Sequence, residues 1–123
     1  MRYLTDRKRA EGKGASHTGT EHHWYMQISA VGLAFLVPTF LFIFGRALGQ
    51  GHDAVLAVFA RPFPGILTAL VLFIGMRHFN KGAIMMIEDY ARGTSRKLAV
   101  IFVTALSYLV IAVGFYALAK IAL

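Results

Sequence analysis

His78 sits in the run Arg77-His78-Phe79-Asn80-Lys81-Gly82, inside the second of three strongly apolar stretches, and Asp89-Tyr90 follows three helical turns later. An ionisable side chain at membrane depth is expensive and is usually kept for a function. The imidazole could ligate a haem iron, relay a proton or an ion, or hydrogen-bond a neighbouring helix. The Asp-Tyr pair could simply end a helix at the membrane edge. It could also hold a small polar headgroup, because a tyrosine hydroxyl can donate to a quinone carbonyl while a carboxylate orients the group or passes protons.

Residues 78, 82, 85 and 89 step by four, three and four, so His78, Gly82, Met85 and Asp89 share one helix face. At the helical rise, His78 lies roughly 16 Å from Asp89 along the axis. With Asp89 at the membrane edge, His78 falls near mid-depth. A flat macrocycle ligated from one helix needs the backbone close by, and Gly82, one turn from His78, removes the obstructing side chain. Arg77 and Lys81 are candidates for the propionates if their side chains reach them. Glu88 is a further titratable group, but adjacent positions on a helix point differently. Only one histidine lies within the spans, so a six-coordinate haem would take its second axial ligand from another chain. His22 and His23 lie too shallow to serve.

These residues must be held by membrane helices. The chain has 123 residues, 57% of them hydrophobic and 15% charged, against about 25% charged in an ordinary soluble domain. No charge occurs from Trp24 to Gly45, from Pro62 to Met76, or from Leu98 to Ala119. A spanning helix needs about 20 mostly apolar residues. The first and third stretches meet that outright, and the second does so only by continuing through His78 and Lys81 to about Ile87. There is no cysteine, which excludes disulfides and Cys-ligated iron–sulfur clusters on this chain. The first apolar segment follows a polar stretch, is long, and lacks a small-residue cleavage pattern, so it reads as a retained span rather than a signal peptide.

The net charge of +7 is distributed for a membrane, not for nucleic acid. Arg2, Arg7, Lys8, Arg9 and Lys13 precede the first span, and Arg77, Lys81, Arg92, Arg96 and Lys97 cluster around the end of the second. The other connection carries only Arg46 and Arg61, with Asp53. By the positive-inside bias the N-terminus is cytoplasmic and the C-terminus periplasmic.

The expected layout is a polar tail over residues 1–21 and a membrane domain over 22–123. Its helices span about 25–48, 64–90 and 96–120. Trp24 and Tyr25 belong to the interfacial aromatic belt. His23, Trp24, Gln27 and Ser29 are candidate partner contacts, the small or polar ones suiting close helix approach. Pro38 should kink the first helix. A short external loop follows Gly49, with a brief interfacial helix through Val55 to Phe59. Ala91 to Ser95 form the second turn, with Gly93 as a stop and Thr94 or Ser95 as the next cap. The fold class is an all-α membrane protein of three antiparallel helices. Gly32, Gly65, Gly75, Gly82 and Gly114 invite contact with further helices, so the unit is part of a larger heteromeric bundle bathed in membrane lipid.

Two regions carry a resemblance to a known family: His23-Trp24-Tyr25-Met26-Gln27-Ile28-Ser29-Ala30, and His78-Phe79-Asn80-Lys81-Gly82 through Ile87-Glu88-Asp89-Tyr90. They resemble the small hydrophobic membrane anchor subunit of succinate dehydrogenase, respiratory complex II, of the alphaproteobacterial and mitochondrial type. The similarity covers about residues 22–120. It implies that His78 is an axial ligand of haem b shared with a partner anchor subunit of cytochrome b type. It also implies that Tyr90 contacts the ubiquinone headgroup and that Asp89 lies at the same site. An iron–sulfur subunit and a flavoprotein would complete the complex in the bacterial inner membrane, and the enzyme activity would belong to that assembly rather than to this chain. Family members often read Trp-x-x-Gln-Arg-x-Thr-Ala at the first helix. Here Ile28 stands at the arginine, and the threonine is absent or displaced to Ser29, so no role of that arginine carries over. The alternatives are a fumarate reductase anchor of the same architecture, and a structural or transport subunit with no redox site.

Overall fold

The computed structural model describes residues 5–7 and 19–123 of the chain. Four helices account for nearly all of the continuous part: α1 over Gly19–Ala47, α2 over His52–Phe59, α3 over Pro62–Tyr90 and α4 over Gly93–Ala122. Three of them, α1 from Thr20 onward, α3 and α4, are long and apolar enough to cross a membrane. The architecture is therefore that of an all-helical, multi-pass membrane protein, with no strand among the described residues.

Each boundary has a local cause. α1 starts within the stretch expected to be tail, and Glu21 in its first turn suits the positive end of the helix dipole. Pro38 does not interrupt α1, which runs on to Ala47. Beside it the Thr39 hydroxyl donates to the Phe35 carbonyl at 2.8 Å. Gly49 and Gly51 take φ of 82° and 85°, a region open to glycine, and so let the chain leave α1 and turn into α2. α2 is the short helix expected before the second span, two turns long and starting at His52 rather than Val55. Pro62 opens α3 at a position where a missing N–H costs nothing.

The turn between α3 and α4 is tighter than the sequence suggests. It consists of Ala91 and Arg92 alone, and α4 begins at Gly93 with φ +62°. Neither Thr94 nor Ser95 caps the helix; Ser95 lies inside it and its hydroxyl donates to the Arg92 carbonyl at 2.7 Å. Across this turn Arg96 pairs with Glu88 at 2.7 Å, an exposed contact of small energetic weight.

α3 is the middle helix. It packs against α1 on one side and α4 on the other, and α1 and α4 make no backbone contact with each other. The three spans alternate in direction, because each connection is short. The result is an open row rather than a closed bundle. Among the described residues the buried apolar ones are only Ala47, Phe59, Leu67, Val103 and Ile111. Large side chains such as Phe35, Phe42, Ile101, Phe102 and Tyr116 point outward, as lipid or further helices would require.

The two α3 seams differ in chemistry. Towards α4, Asn80 donates to the hydroxyls of Thr104 at 3.3 Å and Ser107 at 3.4 Å. Ser107, 2% exposed, donates its own hydroxyl hydrogen bond to the Val103 carbonyl at 2.7 Å. Gly114 lies against Leu72 so closely that a Cβ there would overlap the leucine side chain. Towards α1, the polar contact is between Ser29 and His78.

Candidate functional site

α3 is about 44 Å long, and a bilayer core is about 30 Å thick. His78 lies about 18 Å from the Tyr90 end and about 24 Å from Pro62, which puts it near the centre of the span. Its imidazole is half-buried and meets α1 in the groove between the two helices. Nδ1 is 2.7 Å from Ser29 Oγ, while Nε2 makes no hydrogen bond within the described chain. A groove of about 320 Å³ runs beside this contact, lined by Tyr25, Ile28, Ser29, Gly32, Phe73 and Arg77 among others.

Gly82 lies one turn from His78 on the same face. A Cβ added there would make only an ordinary contact with Met26 Cε at 3.9 Å. Packing within this chain therefore does not demand glycine at 82, unlike at 114. His78 thus keeps one ring nitrogen without a partner among the described residues, and internal packing leaves room for more than a glycine at 82.

Arg77 and Lys81 lie on another face, roughly 100° around the helix from His78 and Gly82. The Arg77 guanidinium stacks over the rings of Tyr25, at 5.4 Å, and Phe73, at 5.7 Å. Cation–π contacts at partly exposed rings are worth about 0.5–1 kcal/mol. Both cations border a cavity of about 210 Å³ between α3 and α4, together with Asn80, Thr104, Ser107 and Tyr108. Neither forms an ion pair with another described residue.

At the end of α3, Asp89 and Tyr90 are exposed, Tyr90 by 87%. Asp89 makes no ion pair with another described residue, whereas its neighbour Glu88 is committed to Arg96. The two exposed carboxylates thus differ in their partners: Glu88 pairs with Arg96 across the turn, and Asp89 stays without an ion pair among the described residues. His78 and the Asp89–Tyr90 pair are held on one continuous helix, about 16 Å apart along its axis.

The four candidate interface residues of α1 divide. His23, Trp24 and Gln27 are exposed, and Trp24 and Gln27 border an outward apolar groove of about 540 Å³ with Ile28, Ala30 and Val31. Ser29 instead turns inward, 6% exposed, and its side-chain contact is with His78 of the same chain. Sequence reading also passed over Thr104 and Ser107. The signal was there: Val103, Ser107 and Ile111 step by four in an apolar span, and all three are buried.

The succinate dehydrogenase/fumarate reductase transmembrane subunit model matches residues 1–116. The succinate dehydrogenase hydrophobic membrane anchor subunit of Paracoccus denitrificans is 50% identical over 123 residues, which is 100% of this chain and 95% of that relative. No solved structure matches the chain. A match of this extent, on a chain with three spans and a histidine at mid-depth, has one reading: the protein belongs to the succinate dehydrogenase/fumarate reductase transmembrane subunit family.

Proposed function

We propose that this chain anchors a succinate:ubiquinone oxidoreductase in the bacterial inner membrane, supplies one axial ligand to haem b, and forms part of the ubiquinone-reduction site. The observation that carries this reading is the placement of two chemically distinct groups on α3. A histidine sits at mid-depth, and a phenol with an adjacent carboxylate sits at the end of the same helix. The name of the Paracoccus relative favours succinate oxidation over the fumarate reductase direction.

His78 would bind the iron, and Gly82 would let the macrocycle approach the α3 backbone. Haem, when bound, would supply a one-electron redox centre. Tyr90 would donate its hydroxyl proton in a hydrogen bond to a quinone carbonyl oxygen, and Asp89 would orient the headgroup or hand on protons. Reduction of ubiquinone to ubiquinol consumes two electrons and two protons. The electrons would come from succinate oxidation in a flavoprotein subunit, by way of an iron–sulfur subunit, since this chain has no cysteine to hold a cluster. A second anchor subunit would supply the other axial ligand. The positive-inside bias supports a cytoplasmic N-terminus and puts Asp89–Tyr90 at the cytoplasmic edge. Arg77 and Lys81 could still reach propionates from their neighbouring face through their long side chains.

A reduced-minus-oxidised spectrum of the purified complex tests the ligand. His78→Ala is expected to abolish the haem b bands while the subunits still assemble. Unchanged bands would remove His78 from the iron.

A further inference from the structure

The haem role proposed for His78 requires its ring to present a lone pair outward, and the α1–α3 seam shows how that could be arranged. A serine hydroxyl has one proton to give and two lone pairs with which to accept. Ser29 Oγ lies 2.7 Å from the Tyr25 carbonyl oxygen and 3.1 Å from the Met26 carbonyl oxygen. It also lies 2.7 Å from His78 Nδ1. The two backbone carbonyls can only accept. With the hydroxyl proton directed to the preceding turn of α1, Oγ faces Nδ1 as an acceptor, so Nδ1 carries a proton and, in the neutral imidazole, Nε2 carries the lone pair.

We propose that Ser29 is a positioning residue: by accepting a hydrogen bond from His78 Nδ1–H it fixes the tautomer and orientation of the imidazole and presents Nε2 to the haem iron. This assignment rests on haem ligation by His78. The opposite tautomer would put a lone pair on Nδ1 and demand the hydroxyl proton, leaving the short contact with the Tyr25 carbonyl without a hydrogen between its oxygens. Ser29 is itself well held, being 6% exposed and inside a continuous helix. A metal-bound histidine generally donates its second N–H to a carboxylate, a backbone carbonyl or water, which raises its basicity towards the metal, and the Ser29 oxygen takes that place here. Here the acceptor comes from α1 of the same chain, so the packing of two spans sets the ligand.

The test uses the assembled complex and reads the haem midpoint potential, the electron paramagnetic resonance spectrum of the oxidised haem, and the haem retained per complex. Ser29→Ala and Ser29→Val remove the acceptor. Both are expected to raise the midpoint potential, shift the resonance and weaken haem retention by about 10-fold. Ser29→Thr keeps a hydroxyl that can bond the preceding turn and matches valine in shape, so it is expected to stay close to the parent. Parent-like potential, resonance and haem content in both hydroxyl-free variants would overturn the assignment. So would loss of assembly in the alanine and valine variants alike, which would reduce Ser29 to a packing residue. His78→Ala, measured alongside, separates the two levels. If it loses haem while the Ser29 variants are unchanged, only the role of Ser29 falls. If it keeps haem, ligation by His78 falls as well.

Discussion

Tyr90 stands at the end of α3 with its ring almost wholly exposed, and its hydroxyl has no side-chain hydrogen-bond partner among the described residues. Tyr90→Phe keeps the ring and removes the donor. Succinate–ubiquinone reductase activity is expected to fall about 10-fold, the worth of one hydrogen bond of roughly 1.4 kcal/mol, while succinate oxidation with an artificial acceptor is unchanged. Equal loss of both activities would point to faulty assembly instead. The spacing from His78 to Tyr90 was legible in the sequence, because helical rise converts residue number into depth. The partner of His78 was not. Ser29 and His78 lie far apart in the chain, and only the register of α1 on α3 brings their side chains together. Arg77 shows the same limit. Its charge and depth are visible in the sequence, but its place between Tyr25 and Phe73 depends on where two helices meet.

The elements were legible as spans and less so as boundaries. Charge-free runs identify three helices, since backbone polar groups in lipid must be satisfied internally. The ends shift by a few residues because they lie near the membrane surface, where apolar patterning no longer constrains them. Glycines illustrate what only packing decides. Gly45 and Gly114 both lie in apolar spans, yet a Cβ on Gly45 would meet nothing within 4 Å, whereas one on Gly114 would overlap Leu72. Gly114→Val is therefore expected to overpack the α3–α4 seam by about 1–3 kcal/mol and to lower the thermal midpoint of the purified complex. Gly45→Ala serves as the control and is expected to leave that midpoint unchanged or slightly raised. A parent-like midpoint in Gly114→Val would mean that Leu72 moves aside at no cost.

At the scale of the whole molecule, an open row of three spans with few buried side chains is a part rather than an autonomous body. Helices in lipid gain little from hydrophobic burial against one another, and the outward aromatic and aliphatic faces offer no closed core. The lack of cysteine gives a direct way to test orientation. A single cysteine introduced as Ser95→Cys, near the α3–α4 turn, is expected to react with a membrane-impermeant thiol reagent only from the cytoplasmic side. Gln50→Cys, in the opposite connection, is expected to react only from the periplasm. The reverse pattern would invert the topology and move Asp89–Tyr90 to the other face of the membrane.

Charge-free lengths determined that this chain spans a membrane three times. Helical rise determined that its one deep histidine and its Asp-Tyr pair lie about half a bilayer apart. Both conclusions follow from local rules, the solvation of the backbone and the geometry of a single helix. Tertiary structure decided that α3 lies between the other two spans, that Glu88 is spent on Arg96 while Asp89 is not, and that Ser29 meets Nδ1 of His78. These depend on crossing and register between helices, which small differences in side-chain packing select and which no single segment encodes. The deep histidine is thus visible in one stretch of sequence, but the nitrogen it keeps available is set by a serine on another helix.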